Sequence, residues 1–315
     1  MYQEYAIDPT TICRSFDRFK LFWNGLGYGE GRLLSKFPGK WERMLLRSET
    51  YGGLTDIQKT AILQRLATEK ETKQRIIPSG RNYNSNSTDW LVAAESGHSE
   101  KPFYAILAEA NPRNHRAVSC FDEVGEEGDC WSMPRPWQIK RSHQDMANAA
   151  APLLRTSREI LLVEPYFNFF PRFTRPLKTF LKEIVEYAAA IQRIEVHLKH
   201  RPDEGTPGFF RDEFIEAAKR KLKYCCPGGG NDLIRRLEFF IWESPDDNRM
   251  HPRYILTEVA GLGFENGLDE SESDDDLTDV SLVSGVSLQT RWKEFQERTC
   301  TRTLFHRFKL EEWDG

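Results

Sequence analysis

The sequence predicts an α/β fold: a mixed sheet flanked by helices over residues 141–315, preceded by a helical and small-sheet α+β domain over residues 1–140. Three observations predict it. Apolar residues recur at three- and four-residue spacing through 13–73, the period of helices packed on one face. From residue 143 onward, short apolar runs alternate with amphipathic stretches, as strands do when helices cover both faces of their sheet. The length, 315 residues, suits two domains or one elaborated domain.

Each element has its own signal. FDRFKLFWNGL, KWERMLLRSE and TDIQKTAILQRLATEKETKQRI carry the helical spacing, and Thr55-Asp56 is a cap for the last. PSGRNYNSNSTD (78–89) is polar and reads as a loop. PFYAILAEA (102–110) and RAVSCFDEV (116–124) read as strands, and the GEEGD turn before CWSMPRPWQIK suggests a small antiparallel sheet. In the second half, helices are predicted at 143–157, 174–191, 208–224 and 287–310. Strands are predicted at 159–167, 193–200, 235–243, 251–258 and 278–285.

Bulk properties narrow the function. A net charge of -4 excludes a globally basic coat for nucleic acid, but not a local basic groove. Residues 269–276, DESESDDD, hold six acidic residues in eight and read as a disordered hairpin loop that can shield such a groove. The six cysteines form no CxxC and no zinc-finger spacing, which predicts free thiols, a reduced, cytoplasmic setting and no structural zinc. No apolar run reaches the roughly 18 residues of a membrane span, and no leader is visible.

Two segments carry a resemblance. LLVEPYF (161–167) resembles the first strand and following turn of the phospholipase D-like superfamily. HPRYILTEVAG (251–261) is similar to that family's His-x-Lys-x4-Asp signature. With the helix–strand–helix–strand order between them, the likeness covers roughly 143–300 and implies one phospholipase D-like repeat. Arg253 stands where the family has Lys, and Glu258 where it has Asp. Glu265-Asn266-Gly267 lies near the place of the family's Gly-Ser-x-Asn. Similar divergent single repeats occur in trafficking proteins and in bacterial genome-defence proteins.

The resemblance implies a chemistry. His251 is the nucleophile that would form a phosphohistidine. Arg253 holds the non-bridging phosphate oxygens with its planar fork. Glu258 or Glu164 orients the imidazole and sets its tautomer. Thr257, Asn266 and Lys199 complete the phosphate-binding set. No metal and no cofactor is implied. Cutting members of the family use two histidine-bearing halves. One half is visible here, so catalysis implies a homodimer that brings two copies of His251 together. Tyr166 and Phe167 read as pocket wall or core, His197 as a satisfied strand histidine, and Arg81 and His98 as loop decoration.

The expected function is phosphodiester recognition, or metal-independent hydrolysis as a nuclease, in nucleic acid (DNA or RNA), within bacterial antiviral defence and its partner proteins. The alternative is a catalytically inactive adaptor that binds an anionic protein partner or a phospholipid headgroup. Basic residues at 219–223 and at Arg291, Lys293, Arg298, Arg302, Arg307 and Lys309 are candidates for backbone contacts.

Overall fold

The computed structural model describes residues 2–83, 89–125, 129–132, 136–187, 191–200, 220, 236–243, 252–296 and 302–309. The chain divides into two compact units, Met1–Pro134 and Arg135–Gly315. His251, the Cys225, Cys226 and Cys300 thiols, Arg298, the helix predicted at 208–224 and most of its KRKLK segment lie outside the described residues.

The first unit is built on five strands: β1 (Gln3–Ile7), β2 (Arg32–Lys36), β3 (Ile76–Pro78), β4 (Ala105–Ala108) and β5 (Val118–Cys120). They lie in the order β3-β2-β1-β4-β5, and every neighbouring pair is parallel. The small antiparallel sheet expected from the sequence is therefore a parallel one. β4 and β5 run the same way because the short return between them is folded on Asn111. Its amide nitrogen donates to the carbonyls of His115 and Val118, at 3.0 and 3.1 Å, and its oxygen accepts from the His115 N–H at 2.8 Å. β1 and β2 escape a periodicity reading because both are five residues long and buried on both faces.

Alternation along β1 sends Tyr5 and Ile7 to one face and Ala6 to the other. On the first face they meet α1 (Phe16–Gly25), α2 (Trp41–Arg47) and α4 (Asp56–Thr72) through Phe19, Trp41 and Ile62. On the second, Ala6 and Ile106 meet Trp90 and Ala94 of α5 (Trp90–Glu100). A short helix, α3 (Glu49–Gly52), joins α2 to α4. The cap predicted at Thr55 is present as a reciprocal pair: Thr55 accepts from the Gln58 N–H, and the Gln58 side chain accepts from the Thr55 N–H. Arg81 is structural: its side chain is fully buried, pairs with Glu4 at 2.5 Å and stacks on Phe103. His98 is also tied down, accepting from the Phe103 N–H at 3.2 Å.

The second unit has a sheet of eight strands: β6 (Trp137–Lys140), β7 (Glu159–Val163), β8 (Arg193–Lys199), β9 (Leu237–Trp242), β10 (Arg253–Thr257), β11 (Gly261–Phe264), β12 (Leu277–Val283) and β13 (Leu304–Lys309). Their order is β13-β9-β8-β7-β10-β11-β12-β6. β7, β8 and β9 are parallel to one another, and the remaining pairs are antiparallel. α6 (His143–Thr156), α7 (Pro171–Tyr187) and α8 (Gly285–Glu294) accompany it.

Three elements differ from the sequence reading. WQIK, expected in the first domain, is β6 and pairs with β12. The helix predicted over 287–310 stops at Glu294, and Leu304–Lys309 is an edge strand paired with β9. Its inward residues 304, 306 and 308 alternate with exposed 305, 307 and 309, a two-residue period masked by the helical spacing before it. GLGF forms β11, where a Cβ on Gly261 would come within 2.7 Å of a Leu256 methyl.

Candidate anion-binding edge

Strand directions decide which residues can meet. β10 runs antiparallel to β7, with Tyr254 opposite Val163 and Thr257 opposite Ile160. Arg253 and Glu164 are therefore neighbours at the end of the sheet where β7 and β8 finish. Thr257 and Glu258 lie at the other end, roughly 13–16 Å further along at a strand's rise per residue. There they have structural work. The Thr257 hydroxyl donates to the Ala260 carbonyl at 2.7 Å, and the Glu258 carboxylate accepts the N–H groups of Arg158 and Glu159 at 2.7 and 3.1 Å. The four intervening residues of the resembled signature thus separate Glu258 from Arg253, because an extended strand carries them to opposite ends of the sheet.

Glu164 is 3% exposed. Its two oxygens accept the N–H of Tyr166 at 3.1 Å and of Leu268 at 2.8 Å, tying the PYF turn to the β11–β12 loop. Gly267 makes that approach possible: its φ is +110°, and a Cβ there would stand 3.2 Å from a Glu164 oxygen. Burial pushes the Glu164 carboxyl up, the two N–H groups and Arg253 hold it down, and Asp269 pushes it up further.

Arg253 is half-buried. Its guanidinium lies 5.2 Å from the centre of the Tyr166 ring, and one terminal nitrogen makes a long 3.3 Å bond to the Glu265 carbonyl. Its Nε is buried with no hydrogen-bond partner, and it forms no ion pair among the described residues. Phe167 is core, packed on Phe169, Phe173 and Phe239. Lys199 ends β8 at the same edge, with its N–H on the Pro165 carbonyl at 3.1 Å, but it is in register with Trp242 and shares that residue's face. Alternation puts Arg253 and Ile255 on the other face. Asn266 turns its amide nitrogen to the Leu277 carbonyl at 3.0 Å, so it holds the hairpin.

The same edge holds a cluster that the sequence reading missed. Asp269 is 3% exposed and takes the guanidinium groups of both Arg141 and Arg172. Beside it, Glu270 accepts from His143 at 2.6 Å and from Arg175 at 3.3 Å. Burial alone would raise the Glu270 carboxyl; the His143 and Arg175 contacts outweigh it and hold it low. The acidic run is therefore not a disordered loop: its first two residues anchor the β11–β12 hairpin. Only the placement of an acidic run directly after the signature hinted at this.

His197 is fully buried between Phe240, Trp242 and Phe295. The Trp242 indole N–H donates to Nδ1 at 3.1 Å, so Nε2 carries the hydrogen and donates to Glu195 at 3.0 Å. Desolvation lowers its pKa. It is a satisfied core histidine. Among the described residues no group of His, Cys, Asp and Glu is placed to hold a metal ion, and no helix is long and apolar enough to cross a membrane. Cys13, Cys120 and Cys130 are free, and burial pushes the Cys13 thiol up to about 12.

No protein-family model matches the chain, and no curated protein matches it in sequence. Among solved structures it is similar to phosphatidylserine synthase from Haemophilus influenzae, at 15% identity over 54% of this chain and a TM-score of 0.35. It is also similar to TrmBL2, an archaeal chromatin protein with a novel mode of DNA binding, at 12% identity over 76% of this chain and a TM-score of 0.26. The chain spans 39% of the length of the first and 65% of the second. Likenesses this weak carry no argument about its activity.

Proposed function

We propose that the second unit recognises phosphodiesters of nucleic acid at the sheet edge formed by Arg253, Tyr166 and Glu164. The observation that carries this reading is Arg253, a half-buried guanidinium with an unpartnered Nε, no ion pair among the described residues and an aromatic ring beneath it. Such a group has its charge and its remaining terminal N–H groups left for an anion. Glu164, buried and raised, orders the loop around it. The phospholipase D-like likeness of 161–167 and 251–261 supports phosphate as that anion, and His251 as the nucleophile if the site also cuts.

Binding takes precedence over cutting for a specific reason. Glu258, one of the two carboxylates expected to orient His251, is engaged with the Arg158 and Glu159 N–H groups at the far end of β10. The test uses the full chain with labelled single-stranded DNA, duplex DNA and RNA in excess EDTA. Binding that weakens with salt and with Arg253→Ala supports recognition. Arg253→Lys retains binding if a point charge suffices and loses most of it if the site needs the planar fork. Cleavage that persists in EDTA and vanishes in His251→Ala would add the hydrolytic activity. Equal binding by wild type and Arg253→Ala would remove Arg253 from the site and sink the proposal.

A further inference from the structure

The first unit holds a cavity of about 660 Å³ with a composition unlike its surroundings. It opens where the chain leaves β1, β2 and β3, the carboxyl ends of three parallel strands. Ligand sites of open α/β sheets lie at that edge, and small-molecule sites run from roughly 300 to 1,000 Å³. Thr10 follows β1, Pro38 to Ser48 follow β2, and Tyr83 follows β3, so three crossover loops contribute to one hollow.

Charge distinguishes it. Lys40, Arg43 and Arg47 line the cavity at i, i+3 and i+7, a spacing that gathers them on one side of α2. All three are exposed, and none has an ion-pair partner among the described residues. In the same unit, Arg14, Arg18, Arg32, Arg75, Arg81 and Arg113 each pair with a carboxylate. Three acids of the neighbouring segments are engaged elsewhere. Asp8 accepts from the Thr10 N–H and hydroxyl and from the Thr11 hydroxyl. Asp89 caps α5 and pairs with Arg113, and Glu42 pairs with Lys36 at 2.8 Å. Pro38, Met44 and Tyr83 add apolar surface to the same lining, with the Tyr83 ring set edge-on against Phe37 at 5.2 Å.

A bare phosphate would leave most of that volume and the apolar surface unused. We propose that the first unit binds a mononucleotide here, its phosphate against Lys40, Arg43 and Arg47 and its base against Met44 and Tyr83. The site is independent of the Arg253 edge and stands or falls without it.

The experiment is calorimetric titration of the full chain at low ionic strength with AMP, GMP, CMP and UMP, the matching nucleosides, inorganic phosphate and a short oligonucleotide. At least one mononucleotide should bind saturably, and its nucleoside at least about tenfold more weakly, since charge-assisted contacts are lost. The double variant Arg43→Ser/Arg47→Ser should lose about tenfold or more of the nucleotide affinity with its thermal midpoint unchanged, because both side chains are exposed. Tyr83→Ala should weaken the nucleotide but not inorganic phosphate, and Arg253→Ala should change neither. Saturable binding by none of the four nucleotides overturns the proposal. So does equal affinity for nucleotide and phosphate, binding of the oligonucleotide alone, or unchanged affinity in the double variant.

Discussion

Arg141 and Arg253 stand at the same end of one sheet and carry the same charge, yet they face opposite circumstances. Arg141 gives its fork to the buried Asp269 carboxylate and to the carbonyls of Asn266 and Asp269. Arg253 has one long bond to a carbonyl, a ring beneath it and a buried Nε with no partner. The difference lies in the neighbouring acid. Asp269 is caught between two guanidinium groups, whereas Glu164 is occupied by two backbone N–H groups and biased by burial toward its neutral form. A satisfied arginine fixes a loop. One whose acidic neighbour is otherwise engaged keeps its charge for a ligand.

Removing the acid from the paired side should give the largest effect. Asp269→Ala would leave Arg141 and Arg172 without a counter-ion and free the start of the hairpin. A loss of about 3 kcal/mol is expected, the low end for breaking a buried pair, because Arg172 is half exposed. Chemical denaturation measures it. A loss below about 0.5 kcal/mol, the range of ordinary surface substitutions, would erase the contrast with Arg253.

On the unpaired side the effect should appear in binding and not in folding. Arg253→Ala should cost about 2 kcal/mol of affinity for a phosphodiester ligand, within the range for hydrogen bonds to charged groups. Its denaturation midpoint should stay close to wild type, since no ion pair is broken. A variant that loses stability but keeps affinity would make Arg253 another Arg141.

His197 supplies a third case, a polar group buried and satisfied without a net charge. Its pKa is lowered by burial, so the unfolded chain binds this proton more readily than the folded one. Stability therefore falls as pH drops below the unfolded value of about 6.5, with a slope of at most about 1.4 kcal/mol per pH unit for one proton. His197→Gln keeps an acceptor for Trp242 and a donor for Glu195, and it should flatten that slope. His98 is lowered for the same reason and leaves a residual slope in both proteins. Identical pH dependence in the two would show that His197 is not held neutral.

What could be read from the sequence follows from how local each signal is. α4 and its Thr55 cap, α6, β7, β8 and β10 each advertise themselves within a few residues, and all are present. The two-sided burial of β1 and β2 removes the alternation that marks a strand, so β1 goes unread and β2 reads as part of the helical region over 13–73. The meeting of Arg253 with Glu164 depends on β10 pairing with β7 some ninety residues away, and Glu164 stands beside the PYF turn at that end of the sheet. Thr257 alternates onto the face of Arg253 and Glu258 holds the acid position of the resembled signature, yet extension carries both to the other end. The Asp269 cluster joins β6, α7 and the β11–β12 loop, a convergence that no single window contains.

The smallest expected effect concerns the balance between Arg253 and Glu164. The folded carboxyl titrates above its ordinary value, so acidification neutralises it while Arg253 keeps its charge. An anion at Arg253 then meets one negative charge fewer, and affinity should rise as pH falls through the folded pKa of Glu164. The gain should be about two- to fivefold, the scale of a screened charge pair worth under 1 kcal/mol. Glu164→Gln keeps an acceptor for one of the two N–H groups and removes the charge at every pH. It should bind at neutral pH as wild type does in acid, and its affinity should no longer respond to this titration. Phosphodiester titrations of both proteins from neutral pH downward, over the range in which each stays folded, measure it, with Arg253→Ala as the reference that responds to neither change. If Glu164→Gln weakens binding instead, the carboxylate positions the ligand or Arg253 itself, and the two residues form one functional pair.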